Sequence, residues 1–223
     1  ETSGIRVKWD KIIEIGAVKV RDGKAVDTFS ELINPGLKLS PYITELTGIT
    51  DEMLKDKPFI EEVLPRFIEF TGDDVIMGHN IMFDYSFLKQ NAINQKLKFD
   101  KMGIDTLKIA RRLLPELEHK NLSFLCQYFN IDPGRSHRAY DDAVSASILY
   151  GKLEKLKPED NSFSNTTKLV YVVKKDSPIT PPQRRYLAAL VEKHNINLEI
   201  PVEEMTKSMA SRQIDTIIAQ YGK

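Results

Sequence analysis

Covalent cross-links can contribute little here, because the 223 residues contain one cysteine, Cys126. An internal disulfide is excluded, and the thiol usage fits a reducing, cytoplasmic compartment. Cys126 lies in the apolar run 122–129 and reads as a small core residue. Cys or His pairs at zinc spacing are lacking as well, so a thiolate-type zinc site is excluded. Excess charge of either sign is missing: Lys+Arg and Asp+Glu are both 32. Chains that bind nucleic acid by bulk attraction are usually basic, so contact with a polyanion here must be local, or cations must supply the positive charge. No segment is long and apolar enough to span a membrane, and no secretory signal is visible. Repeats and low-complexity tracts are also absent. What is present is ordinary for a globular protein: 41% hydrophobic and 29% charged residues. The length suits one good-sized domain plus a small appendage.

Lys11 to Arg21 is rich in Ile and Val and reads as a strand. Asp22-Gly23 is a turn signal, and Lys24 to Ile33 reads as the returning strand of a hairpin. Asn34-Pro35-Gly36 ends it. Short helical pieces are expected at Pro41–Leu46 and Asp51–Leu54, and a longer helix over Phe59–Phe70, where Val63, Phe67 and Phe70 share a face. Val75 to Gly78 reads as a short buried strand. Tyr85 to Asn94 reads as a helix with Asp84 as its N-cap. Three more helices are expected at Asp105–Leu114, Asn121–Phe129 and Arg138–Lys155. A hairpin followed by alternating helices and short strands indicates an α/β layer fold. Residues 157–167 carry Pro, Asn and Ser without periodicity and read as a linker. Beyond it, 168–223 reads as a small C-terminal α+β unit, with a strand-like run at Leu169–Val173 and helices at Pro181–His194 and Ser208–Tyr221.

Three clusters carry chemistry. They are Glu1-Thr2-Ser3-Gly4, the stretch from Gly78 to Leu88, and His137-Arg138-Ala139-Tyr140-Asp141-Asp142-Ala143. Taken singly, each has a plain structural explanation. Glu1 can be an arbitrary terminal residue, Asp84 only a helix cap, and His137 and Asp142 solvated residues near a helix start. His79 can be a packed strand-end residue.

Taken together, the order and spacing of these clusters resemble the DEDDh exonucleases, the group containing the proofreading epsilon subunit and the PolC-type exonuclease domain of bacterial DNA polymerase III. Glu1 to Gly4 match the end of an Asp-x-Glu-Thr-x-Gly motif. Asn80, Phe83 and Asp84 match Asn-x-x-Phe-Asp, with His79, Phe87 and Leu88 as usual flanks. His137, Ala139 and Asp142 match His-x-Ala-x-x-Asp. The resemblance runs from Glu1 to about Lys155 and implies a ribonuclease-H-like fold, a mixed sheet flanked by helices, over 1–156. It implies metal-dependent 3′–5′ hydrolysis of phosphodiester bonds, releasing nucleoside monophosphates from DNA in proofreading or repair. Glu1, Asp84 and Asp142 are then the metal ligands and His137 the general base. The segment Leu46-Thr47-Gly48-Ile49-Thr50 resembles one that touches the terminal nucleotide in relatives. Thr2, Leu46, Thr47, Ile49, His79, Asn80 and Phe83 are therefore the expected nucleotide contacts.

The chemistry of the residues agrees. Phosphodiester hydrolysis needs a nucleophile at neutral pH and neutralisation of phosphate charge, and two divalent cations about 4 Å apart supply both. Carboxylates favour Mg²⁺ or Mn²⁺ over softer metals. The expected partners are single-stranded or frayed 3′ ends of DNA, with RNA not excluded, and a polymerase. The family pattern calls for an Asp two positions before Glu1. The expectation is therefore a longer polypeptide with an apolar strand before Glu1 that carries this Asp, without which the fold would be poorly stable. Two rival readings stand beside the main one. One is an exoribonuclease acting on short RNA; the other is an inactive module that binds nucleic-acid ends or a polymerase. In the tail, Arg184, Arg185, Lys193, Lys207 and Arg212 loosely suggest nucleic-acid contact, against an equally good reading as a packing appendage.

Overall fold

Asp22 and Gly23 both adopt left-handed backbone, with φ of 49° and 72°. This is the type I′ geometry whose twist matches that of an antiparallel hairpin. The turn joins β1 (Glu14–Arg21) to β2 (Lys24–Leu32), with Glu14 opposite Leu32 and a register shift at Lys19/Val20. The computed structural model describes residues 1–134, 137–163, 165–172, 177–198 and 200–222, and within these not the side chains of Ser208 and Arg212. The expected role of Arg212, and the end of the expected strand at Val173, lie outside the described residues.

After the hairpin come α1 (Pro41–Thr47), α2 (Asp51–Leu54) and α3 (Ile60–Thr71). Ser40 and Thr50 cap α1 and α2 through their side chains, satisfying free N–H groups at the helix starts. Next come β3 (Ile76–Gly78), α4 (Ile81–Asn94) and β4 (Met102–Asp105). They are followed by α5 (Thr106–Leu113), α6 (Leu122–Tyr128) and α7 (Ala139–Leu156), and by β5 (Thr167–Lys168). Strands β3 and β4 pair in parallel, and β4 and β5 antiparallel. The architecture is the expected mixed α/β arrangement of sheets flanked by helices.

The main core is built by the hairpin, α3 and α4. Phe67, Tyr85, Phe87 and Phe99 are buried there with Ile15 and Ile33. Each such side chain contributes about 1.5–3 kcal/mol on leaving water. A second cluster joins α5, α6 and α7 through Ile109, Leu125, Cys126, Leu149 and Leu153. Cys126 is thus the core residue its apolar surroundings implied.

Two compact units are formed, Glu1–Tyr171 and Val172–Lys223. The stretch expected to be a linker, 157–167, carries fixed contacts within the first unit. The Tyr150 hydroxyl donates to the Phe163 carbonyl, Asp160 pairs with Arg112 at 3.0 Å, and Thr167 sits opposite Gly103 in the sheet. Leu169 then enters the main core. Residues 169–172 are not a strand, contrary to the expectation. The second unit consists of α8 (Pro181–His194), a 3-10 turn (Val202–Glu204) and α9 (Lys207–Tyr221), around Leu187, Leu190, Ala210 and Ile217.

Candidate active site

A cleft of about 810 Å³ opens in the first unit. β1 and β3 form two of its walls, α7 a third, and Phe67, Phe70, Phe87 and Leu88 of α3 and α4 a fourth. Glu1, Asp84 and Asp142 all line it.

Glu1 is held against the start of β1. Its carbonyl accepts from the Ile13 and Glu14 amides at 2.9 and 3.3 Å, and its main-chain nitrogen donates to the Glu14 carbonyl at 2.7 Å. Asp142 lies in the first turn of α7. His137 precedes that helix with φ of 61°, a left-handed conformation that non-glycine residues adopt at a cost. Ligand atoms of Glu1, His137 and Asp142 all lie within 4.8 Å of one another. Among the described residues this is the group of acidic and imidazole side chains able to hold a metal ion.

Asp84 stands beside this trio rather than inside it. Its helix begins earlier than expected: α4 starts at Ile81, and Asn80, with φ of 71°, takes the N-cap position. Asp84 is therefore a first-turn residue and not the cap, and its side chain is left to the cleft. The left-handed turn at Asn80 brings the helix start forward, and its amide donates to Asp105 Oδ1 at 3.0 Å.

The site is overloaded with negative charge. Burial raises the Asp84 carboxyl to about 6, with Glu1 and Asp142 adding to the shift. Asp84 is exposed to the cleft, where its carboxylate stands among the lining residues. Asp142 is likewise raised to about 6 by burial and then by the Glu1 charge. Such shifts mark carboxylates withdrawn from water and crowded by other acids. Carboxylate oxygens with one imidazole nitrogen among them form a donor set that fits a divalent cation.

The expected nucleotide contacts divide into three groups. Thr2 and His79 line the cleft. The His79 ring is already committed: Nε2 donates to the Lys120 carbonyl at 2.7 Å, leaving Nδ1 to accept from the Thr106 hydroxyl at 2.9 Å. Burial lowers its pKa and keeps it neutral. Leu46 is half-buried and Asn80 exposed, while Phe83 packs on Phe87 at 5.1 Å between ring centres. Thr47 and Ile49 depart from the expectation of lining an open pocket. They are 4% and 0% exposed; the Thr47 hydroxyl donates to Ile43 and accepts from the Ile49 amide, and Ile49 fills a core with Ile13 and Leu54.

Sequence reasoning missed Glu14. This carboxylate is 2% exposed and accepts from Arg138 Nε at 3.0 Å, Arg138 Nη2 at 2.7 Å and the Ala139 amide at 2.8 Å. Its hydrogen bonds raise the Arg138 pKa further. The available signal was a glutamate inside Ile12-Ile13-Glu14-Ile15, an acid embedded in a buried apolar run.

The Exonuclease family model, RNase_T, matches residues 1–150. The PolC-type DNA polymerase III of Caldanaerobacter subterraneus subsp. tengcongensis is 44% identical over 157 residues, 70% of this chain and 11% of that one. The PolC-type DNA polymerase III of Bacillus subtilis is 42% identical over 158 residues, covering 69% and 11%. The chain thus spans about a tenth of the length of these relatives. Among solved structures, Exonuclease X in complex with 5′ overhanging duplex DNA is 29% identical with a TM-score of 0.57, covering 72% of this chain and 90% of that one. The nuclease domain of 3′hExo, a DEDDh family member bound to rAMP, shares the fold at 20% identity and a TM-score of 0.60, covering 72% and 87%.

Proposed function

The chain belongs to the RNase_T exonuclease family, and from that premise we propose that it removes nucleotides one at a time from the 3′ end of DNA. The observation that carries this reading is the grouping of Glu1, His137 and Asp142 within 4.8 Å, beside Asp84 in an open cleft. Glu1, Asp84 and Asp142 are assigned as ligands of two Mg²⁺ or Mn²⁺ ions. When bound, such ions neutralise phosphate charge and lower the pKa of water. The upward shift of Asp84 and Asp142, caused first by burial and then by neighbouring carboxylates, supports the assignment, because bound cations would favour the charged forms.

His137 is assigned as general base. Its left-handed backbone aims the imidazole at the two carboxylates, where it takes a proton from the attacking water. Thr2, Leu46, Asn80 and Phe83 are assigned to the terminal nucleotide, with Thr47 and Ile49 supporting the Leu46 loop from beneath. Stacking and wedging at such a site hold a frayed end without reading its sequence. A polymerase is the proposed partner, because the similar stretch in the relatives lies within a DNA polymerase III.

The test is digestion of matched single-stranded DNA and RNA oligomers with Mn²⁺, using the polypeptide as its gene encodes it. Faster release of deoxynucleoside monophosphates supports the reading. Faster release of ribonucleotides would replace DNA by RNA as substrate. Binding of ends without any release would make the chain a binding module.

A further inference from the structure

Glu14 occupies an unusual position between the two halves of the candidate site. Its main chain holds Glu1: the Glu14 carbonyl accepts at 2.7 Å and its amide donates at 3.3 Å. Its side chain holds the other half. The carboxylate grips Arg138, which lies between His137 and α7, and also accepts from the first amide of that helix. Arg138 is the N-cap residue of α7 and makes no side-chain cap bond itself. The cap is thus supplied from a strand 125 residues away in sequence, with the carboxylate at the positive end of the helix dipole. The ion pair is well shielded, with side chains 2% and 19% exposed. Charge-assisted bonds to an arginine fork in such surroundings fix direction as well as distance.

We propose that Glu14 is a positioning residue: through Glu1 on one side and Arg138–Ala139 on the other, it sets the separation of Glu1 from His137 and Asp142. The inference rests on reading those three residues as the catalytic centre. Glu14 touches neither nucleotide nor reacting atoms. Its effect is on the distance between groups that do, and errors on the order of 1 Å in such distances cost about 10²-fold in rate. Residues that orient metal ligands cost roughly 10- to 100-fold in metal affinity or activity when changed.

The test uses Glu14→Gln, which keeps the shape and one acceptor but loses the charge, and Glu14→Gln combined with Arg138→Gln, which removes the unpaired buried charge. Three quantities are measured well below the melting temperature: kcat and KM on a DNA oligomer, the Mn²⁺ concentration for half-maximal rate, and hydrogen exchange of the Ala139 and Asp142 amides. Glu14→Gln is expected to lower kcat and raise the Mn²⁺ requirement, each roughly 10- to 100-fold, with KM for DNA little changed and faster exchange at the start of α7. The double variant is expected to recover melting temperature without recovering kcat. A role confined to stability predicts the reverse, with normal kcat and Mn²⁺ requirement in every folded variant, and that result would overturn the proposal. If the unaltered protein neither cleaves DNA nor binds Mn²⁺ by calorimetry, the reading of the site fails instead, which is a distinct outcome.

Discussion

Gly16 and Tyr140 leave no room between them: a β-carbon built at Gly16 would fall 2.1 Å from the Tyr140 amide nitrogen and 2.2 Å from the Ala139 carbonyl carbon. Backbone meets backbone at this junction of β1 and α7, so neither side can give by turning a side chain. Glu14 grips the same helix start from two residues earlier on the strand. Strand neighbours two apart share a face, and this face presses α7 into place.

Gly16→Ala should therefore push α7 away from β1. The expected cost is at least about 1–3 kcal/mol, as for overpacked cores, with loss of most nuclease activity because His137 and Asp142 move with the helix. Thermal melting and oligonucleotide digestion check this. An alanine variant with unchanged stability and rate would mean that the junction is softer than its geometry.

The acidic cluster predicts a pH dependence of stability. In the folded chain, Asp84 and Asp142 are raised to about 6, above the value of about 4 for an unfolded carboxyl. Protonated, both favour the fold; the contribution is complete below about pH 4 and is lost as pH rises through about 6. In chelator, the melting temperature should fall over that window, and Mn²⁺ should restore it more at pH 7.5 than at pH 5. A cation effect equal at both pH values would contradict the assignment of these carboxylates.

Asp142→Asn follows from the same reasoning. Removing one charge from a crowded, half-buried group should raise the melting temperature at pH 7.5 in chelator. The same change should abolish nucleotide release and weaken Mn²⁺ binding. Loss of activity together with loss of stability would point to a purely structural aspartate.

Truncation places the boundary of the nuclease unit. A chain ending at Tyr171 keeps β5, Leu169 and the Tyr171 hydroxyl bond to Gln90. It should remain folded and metal-dependent. A chain ending at 166 loses all three and should be less stable by several kcal/mol, since removal of one buried leucine side chain alone costs about 2–5 kcal/mol. Circular dichroism melts of the two truncations decide between this and a boundary at 157–167.

Much of this was legible in the sequence, for reasons tied to local signals. Asp22-Gly23 marked the hairpin turn, and the apolar spacing of α3 marked its buried face. The clusters around Asp84 and His137 announced themselves by spacing. The start of α4 was not legible, because Asn80 caps it from a left-handed backbone that no motif displays. β4 escaped because four residues including Gly103 carry too little pattern. The packing of 157–167 was hidden because Asp160 and Phe163 find their partners, Arg112 and Tyr150, outside the stretch. Glu14 was not singled out within its strand, because its carboxylate is matched by Arg138, which sequence proximity cannot supply.

The central claim is cation-dependent removal of nucleotides from 3′ ends by Glu1, Asp84, His137 and Asp142. The most direct test follows a 5′-labelled single-stranded DNA oligomer with the polypeptide as its gene encodes it, in Mn²⁺ and in excess chelator. A ladder of labelled products shortening one nucleotide at a time in Mn²⁺, with no shortening in chelator, is the predicted result. Immediate release of the label as a mononucleotide, or an undiminished ladder in chelator, would contradict the account.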